Sequence, residues 1–402
     1  MTTLSEELKW RGFANQYTFA DETGINEPRT FYLGVDPSAA SMHIGNLAQV
    51  MLVKHLLAHG HKAIVLVGGA TGMIGDPKED AERDLKSLDE IDTNKAGIAA
   101  QYKQLLDGED FTLVDNYDWF KDIGYLQFLR DIGKHFSMTQ LLDREFIKAR
   151  IGEGASGISY AEFSYSLIQG YDFLHLFREH GATLQIGGSD QWGNMISGAQ
   201  MIKKLDAADA HVWTVPLILD KSTGKKFGKS EGNAVWLDPS LTSPYKFYQF
   251  WLNVDDVGVV DYLKIFTMLD RMQIDELVAK SASDPGARML QRALAREVTE
   301  LVHGSVRRES VERVTSVLFG GDAFSSLSDA DISELAGEIP SSGFGDIVAV
   351  LTTSGLASSN GEARRLIENG AVSVNGQKVL ENIKITDKSL VKKGKNSFVL
   401  VG

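Results

Sequence analysis

Continuous apolar runs alternate with helically spaced apolar positions through the first part of the chain. Thr30-Phe-Tyr-Leu-Gly-Val35 is one run, closed by Asp36-Pro37, and Ala63-Ile-Val-Leu-Val67 is another, closed by Gly68-Gly-Ala-Thr-Gly72. Between them Leu47, Val50, Met51, Leu57 and Ala58 recur at helical spacing, and Gly60 stands where a left-handed residue ends a helix. Strand, helix and strand with a glycine-rich exit predict the βαβ unit of a parallel sheet. Ligands of such sheets sit beyond the carboxyl ends of the strands, here near residues 32–36 and 68–76. Thr183–Gly187 and Trp213–Leu219 read as further strands, while residues 78–120 read as helices and loops.

The same patterning divides the chain. Residues 1–220 read as an α/β, Rossmann-like domain, with a helical insertion at about 121–165. Residues 221–325 read as a lysine-rich loop followed by a helical domain that holds the aromatic run Tyr245–Trp251. Residues 326–340 read as a linker, and 341–402 as a small α+β domain.

Composition narrows the picture. The chain has 402 residues, no cysteine and a net charge of −13. Disulfides and thiolate zinc sites are excluded, and nonspecific nucleic-acid binding by the whole surface is disfavoured. Residues 341–402, however, carry more lysine and arginine than acid, a basic module on an acidic protein. No apolar run approaches the length of a membrane span, and the amino end lacks a signal core. The expected address is cytoplasmic, without membrane attachment.

The candidate chemistry starts from two phrases. His43-Ile-Gly45-Asn46 reads as a helix start, where free N–H groups attract phosphate and Gly45 permits close approach. Lys226-Phe-Gly-Lys229-Ser230 places two ammonium groups around a flexible step, fit to hold a polyphosphate. Taken singly, one is also an ordinary helix start and the other a solvated basic hairpin. Context adds Gly187-Gly188-Ser-Asp190-Gln191-Trp-Gly-Asn194 after a strand, where Asp190 can accept from a ribose and Gln191 can hold a carboxylate. It also adds Tyr165, Gln169 and Asp172, which share one helix face among apolar neighbours.

With Tyr32–Pro37, Gly68–Pro77, Tyr165–Asp172 and Ser243–Trp251, these phrases in this order resemble the bacterial-type tyrosyl-tRNA synthetases over nearly the whole chain. That family belongs to the class I aminoacyl-tRNA synthetases, and the second phrase takes its KFGKS form. The resemblance implies a tyrosine–tRNA ligase that uses L-tyrosine, ATP with Mg²⁺ on its phosphates, and tRNA(Tyr). It implies a homodimer formed through the helical insertion, with no resident metal or prosthetic group.

The resemblance also assigns roles. Tyr32 and Asp172 hold the phenol of the substrate. Asp36 lines the tyrosine site. Asp76, Tyr165 and Gln169 hold the ammonium, and Gln191 the carboxylate. Gly34, Gly45, Asn46, Gly188, Asp190 and Ser230 contact ATP. His43, Lys226, Lys229 and Arg83 stabilise the reacting phosphates. Asn46 replaces the usual second histidine, Leu33 replaces a frequent small polar residue, and Lys78 is the candidate for a mobile-loop lysine. The tail resembles an S4-type RNA-binding module, with Arg364 and Arg365 on a short helix, a hairpin at Asn375-Gly376, and Lys392 and Lys393 beyond it. Two alternatives remain at this point: an altered amino-acid-adenylating enzyme of tryptophanyl type, and an idle paralogue that binds structured RNA.

Overall fold

In the strand Thr30–Val35 (β1), Phe31, Tyr32 and Leu33 are all buried, so its two faces must both be covered. Lys62–Val67 (β2) is likewise buried from its second residue onward. A computed structural model describes residues 2–77, 84–142, 145–151, 157–230 and 233–402. It places β1 at the centre of a five-stranded parallel sheet. With Phe111–Val114 (β3), Ala182–Gly188 (β4) and His211–Val215 (β5), the order is β3-β2-β1-β4-β5. The chain builds outward from β1 to β3, then returns to the other side of β1 for β4 and β5. That reversal leaves a crevice between the carboxyl ends of β1 and β4. Tyr32 pairs in register with Gln185 there, and Leu33 with Ile186.

Two readings of the sequence need correction. β3 falls inside a stretch expected to hold only helices and loops. It is four residues long and pairs only with β2, so its apolar run is too short to signal a strand. β5 ends at Val215 instead of Leu219, because Pro216 has no N–H to offer the sheet and Leu217 and Leu219 are exposed.

The helix Ile44–Ala58 follows β1 and ends as its glycine predicts. Gly60 has φ 84°, its N–H reaches Leu57 O, and His61 N–H reaches Leu56 O, which satisfies the last carbonyls. The long helix Tyr160–His180 packs against Trp192–Asp206 on one face of the sheet. Phe173, Leu176 and Ile202 are fully buried in the core between them.

The chain forms two compact units: residues 1–242 with 254–294, and 243–253 with 295–402. The KFGKS segment and the helix Val259–Phe266 therefore belong with the sheet, whereas a boundary near 220 was expected from sequence. In the second unit the helix Pro244–Leu252 buries Phe247 and Trp251, and Phe247 meets His303 edge-on. The segment 326–340, read as a linker, carries the helix Asp329–Ala336. Ser328 and Asp331 form its capping box, Asp331 is clasped by Arg313, and Leu335 is fully buried. A serine- and aspartate-rich composition here marks a capped helix start.

A small five-stranded sheet closes the second unit, ordered Gln377–Lys378, Val372–Val374, Ser389–Lys393, Ser397–Val401, Ser341–Ser342. Asn375 and Gly376 both have positive φ, which the expected two-residue hairpin requires.

Candidate active site

A cavity of about 410 Å³ opens at the carboxyl ends of β1 and β4. Tyr165, Gln169 and Asp172 all line it, so the polar stripe read from the helix faces a pocket. Tyr32 projects from β1 into the same space and is 1% exposed, and its hydroxyl has no hydrogen-bond partner among the described residues. Asp172 is 2% exposed and accepts from Asn116 Nδ2 (3.1 Å) and Trp119 Nε1 (3.0 Å). Burial pushes its carboxyl up to about 7, against the pull of those two donors.

Around the cavity the other predicted tyrosine contacts are linked to one another. Tyr165 OH donates to Asp36 Oδ2 (2.8 Å). Gln191 Nε2 donates to Asp76 Oδ2 (2.8 Å). The resemblance assigns Asp76 to the ammonium of the amino acid and Gln191 to its carboxylate; here the two side chains also hold each other. Asn194, quoted within its motif but given no role, donates to Gln191 Oε1 (3.2 Å) and accepts from Ser166 Oγ (2.7 Å). Gln169 Oε1 and Gln185 Oε1 are buried without partners among the described residues, and both residues line the cavity. Buried polar atoms are seldom left unpaired, so three such atoms around one cavity mark a place for a polar ligand.

The phosphate-side residues gather next to it. His43 Nδ1 accepts from Gly45 N–H (3.0 Å), which leaves the proton of the neutral ring on Nε2. Asn46 Oδ1 accepts from His43 N–H (3.1 Å), completing a capping box. Asn46 thus caps the helix as well as lining the cavity. A Cβ at Gly45 would come within 2.8 Å of the His43 ring, so this glycine makes room for the histidine as much as for a ligand.

A second cavity, of about 670 Å³, is lined by His43, Gly45, Asn46, Asp190 and Lys226. Asp190, Gly188 and Asn46 line both cavities, so the two adjoin. Gly34 lines the first, and a Cβ there would meet only the Tyr32 ring, at 3.8 Å.

The two signature phrases touch. A Cβ at Gly228 would collide with the Ile44 side chain, and Ile44 N–H donates to Val235 O. Phe227, to which the sequence reading gave no role, is buried and stacks on Tyr262 at 4.2 Å. The backbone of Lys229–Ser230 pairs with Asn233–Ala234; the side chains of Lys229 and Ser230, like all of Lys78 and Arg83, lie outside the described residues.

In the second unit Arg364 and Arg365 are exposed on the helix Asn360–Glu368. Lys392 and Lys393 differ from expectation. Lys392 Nζ donates to Leu318 O (2.9 Å) and lies over the Phe398 ring, and Lys393 Nζ donates to Leu356 O. Their ammonium groups serve the fold of the unit, and the two arginines remain as the cations presented from the predicted set.

The sheet, its crevice and the paired signatures are those of a class I tRNA synthetase. Residues 24–320 match the family model described as tRNA synthetases class I (W and Y). Residues 331–401 match that of the tyrosine–tRNA ligase SYY-like C-terminal domain. The chain is 45% identical over 387 residues to the tyrosine–tRNA ligase of Leuconostoc citreum, covering 94% of this chain and 92% of that one. It is 43% identical over 399 residues to that of Kineococcus radiotolerans, covering 96% and 92%. The model superposes on the C-terminally truncated mitochondrial tyrosyl-tRNA synthetase of Aspergillus nidulans with a TM-score of 0.71, at 29% identity, covering 79% of this chain and 95% of that one. A tryptophanyl-tRNA synthetase from Encephalitozoon cuniculi, with a TM-score of 0.55 at 15% identity over 82% and 91%, shares the fold. Within class I, the chain belongs to the tyrosine–tRNA ligases.

Proposed function

We propose that this tyrosine–tRNA ligase holds its amino acid in the 410 Å³ cavity and reacts it with ATP laid across the adjoining one. The observation that carries this reading is the unpartnered Tyr32 hydroxyl, which shares the cavity with the Asp172 carboxylate. A phenol entering there accepts from Tyr32 and donates to ionised Asp172. An indole offers no matching oxygen and a phenyl ring offers neither group, so both leave the buried pair unsatisfied.

The tyrosine ammonium turns toward Asp76, Tyr165 and Gln169, and its carboxylate toward Gln191. One carboxylate oxygen attacks the α-phosphorus of MgATP in line. The new bond is carboxylate O–P; the bond that breaks is the P–O bond to pyrophosphate, which takes the electron pair. No proton moves, so the step needs no general base. His43 Nε2–H and the Lys226 ammonium, with Lys229 and Arg83 assigned by resemblance, stabilise the charge that grows on the phosphate oxygens. Asp190, Gly34, Gly188, Asn46 and Ser230 seat the nucleotide. In the second step a terminal hydroxyl of tRNA(Tyr) attacks the tyrosyl carbonyl carbon, the acyl C–O bond to AMP breaks, and the hydroxyl proton passes to the departing AMP phosphate.

The second unit is proposed to grip tRNA as an S4-like module through Arg364 and Arg365. The insertion presents exposed Tyr125, Leu126, Met138 and Tyr160, which supports its use as the contact of a homodimer. Among the described residues no helix is long and apolar enough to cross a membrane, and a cytoplasmic address is proposed.

Tyrosine-dependent ATP–pyrophosphate exchange tests the core of this reading. Exchange is expected with tyrosine and not with tryptophan or phenylalanine; folded protein with no tyrosine-dependent exchange overturns it. Truncation at 341 is a poor test of the tail, because Leu390, Phe398 and Leu400 pack on Val314, Leu318 and Leu335. Charge removal at the two arginines is the cleaner experiment.

A further inference from the structure

The helix Leu4–Arg11 contributes a buried charged cluster that no step above uses. Arg11 is 3% exposed, and its guanidinium donates to the backbone carbonyls of Lys264 (2.7 Å), Thr267 (3.1 Å) and Leu269 (2.8 Å). These lie at or just past the carboxyl end of the helix Val259–Phe266, where carbonyls lack intrahelical donors. Arg11 therefore caps that helix from a distant part of the chain.

The capped helix is the seat of the KFGKS hairpin. Phe227 stacks on Tyr262 at 4.2 Å and 27° and lies 5.8 Å from Phe266. Among the described residues from 217 to 228, Phe227 is the one buried side chain; Leu217, Leu219 and Lys226 on the same hairpin are exposed. Its backbone ties include the Leu219–Lys226 bridge and the bond from Phe227 N–H to Ile218 O within the hairpin, and the bonds from Val235 N–H to Gly228 O and from Lys221 N–H to the Tyr262 hydroxyl (3.3 Å) beyond it. The Phe227 stack and the Lys221–Asp261 ion pair (3.1 Å) together tie the hairpin to Val259–Phe266, next door to Lys226.

The other side of the cluster reaches the first signature. Arg11 Nε donates to Glu7 Oε1 (2.9 Å), which lies 3.1 Å from His55 Nδ1, while Glu7 Oε2 lies 3.4 Å from His59 Nε2. His55 and His59 stand at the carboxyl end of the helix that starts at His43. One polar cluster braces both signature-bearing elements.

We infer that Arg11 is a positioning residue for ATP chemistry: it fixes the end of Val259–Phe266, hence the aromatic seat of Phe227, hence the reach of Lys226. This rests on the role proposed above for Lys226. Displacing a charge-stabilising group by a fraction of an ångström costs rate without costing tyrosine binding.

The test is a double-mutant cycle on the full chain. Arg11→Lys keeps the charge but cannot span three carbonyls. Its rate of tyrosine-dependent ATP–pyrophosphate exchange is expected to fall about tenfold while the tyrosine Kd stays within about twofold. In a Lys226→Ala background the same substitution is expected to have almost no further effect, because its route to the phosphates is gone. A merely structural role lowers the melting temperature and cuts the rate equally in both backgrounds, and that additivity overturns the inference. Should Arg11→Lys fail to fold, Phe227→Leu replaces it in the cycle with the same two outcomes. Full exchange by Lys226→Ala alone is a separate result: it removes the role proposed for Lys226, and this inference with it.

Discussion

The tyrosine pocket and the phosphate rim adjoin, yet they are built on opposite principles. In the pocket, Tyr32 and Asp172 are almost wholly buried on a strand and a long helix. Asp172 is held by two donors, and its carboxyl is pushed up to about 7. At the rim, Lys226 is exposed on a hairpin held to the helix Val259–Phe266 by the Phe227–Tyr262 stack and by Lys221, which reaches Tyr262 and Asp261. Choosing a phenol calls for unmatched polar groups kept dry and still, since only there does a missing partner cost much. Expelling pyrophosphate calls for charge placed at the open rim, within reach of the phosphates. Selection is buried; chemistry is exposed.

The contrast can be broken most sharply at the rim. Lys226→Ala is expected to slow adenylate formation about 10²–10³-fold in rapid-quench assays while tyrosine affinity stays unchanged. A parallel loss of tyrosine affinity would mean that the two regions are not separate.

Next in size is Asp172→Asn, expected to weaken tyrosine about 10–100-fold by equilibrium titration, the cost of one hydrogen bond to a charged group. The wild-type affinity should climb as pH rises through about 7, because the phenol donates to the ionised carboxylate. The variant should be flat over that range. Stability follows the sign of the shift. The folded group binds its proton more tightly than the unfolded one, so its contribution is complete below the ordinary aspartate range and lost as pH rises through about 7. The melting temperature of Asp172→Asn should therefore gain on wild type between pH 4 and 8.

Tyr32→Phe should weaken tyrosine about 5–10-fold and, in the absence of substrate, stabilise the protein by roughly 1 kcal/mol. The hydroxyl it removes is buried and has no partner among the described residues. A destabilised empty variant would show that the hydroxyl is satisfied in the resting site. Smallest at the catalytic centre is Arg364→Ala with Arg365→Ala. It should leave pyrophosphate exchange unchanged, raise the KM for tRNA a few-fold and flatten its salt dependence by about two phosphate contacts.

Much of this was legible in the chain because the signals were local. Apolar runs gave β1, β2 and β4, the Asn375-Gly376 pair gave the hairpin, and the spacing of Tyr165, Gln169 and Asp172 gave a common face. Asn116 and Trp119 were not legible. They lie just after an edge strand too short to read, and they reach Asp172 only through folding. Gln185 did leave a trace, an amide between Leu184 and Ile186 in a buried parallel strand, which is costly unless something in the fold uses it. Phe227 lay in plain view within its motif, but an aromatic side chain between two lysines says nothing of its shelf until Tyr262 is beside it.

By itself, then, the sequence determined the kind of groups present: a phenol and carboxylate for selection, a histidine and lysines for phosphate, and a basic tail. Those are properties of side chains and short spacings. Tertiary structure decided which groups are already spent and which are waiting. It committed Lys392 and Lys393 to carbonyls within their own unit, bound Asp76 to Gln191 and left the Tyr32 hydroxyl without a partner among the described residues. A hydrogen-bond partner contributed by a distant segment has no signature in local sequence, because the fold alone brings the two atoms within 3 Å of each other.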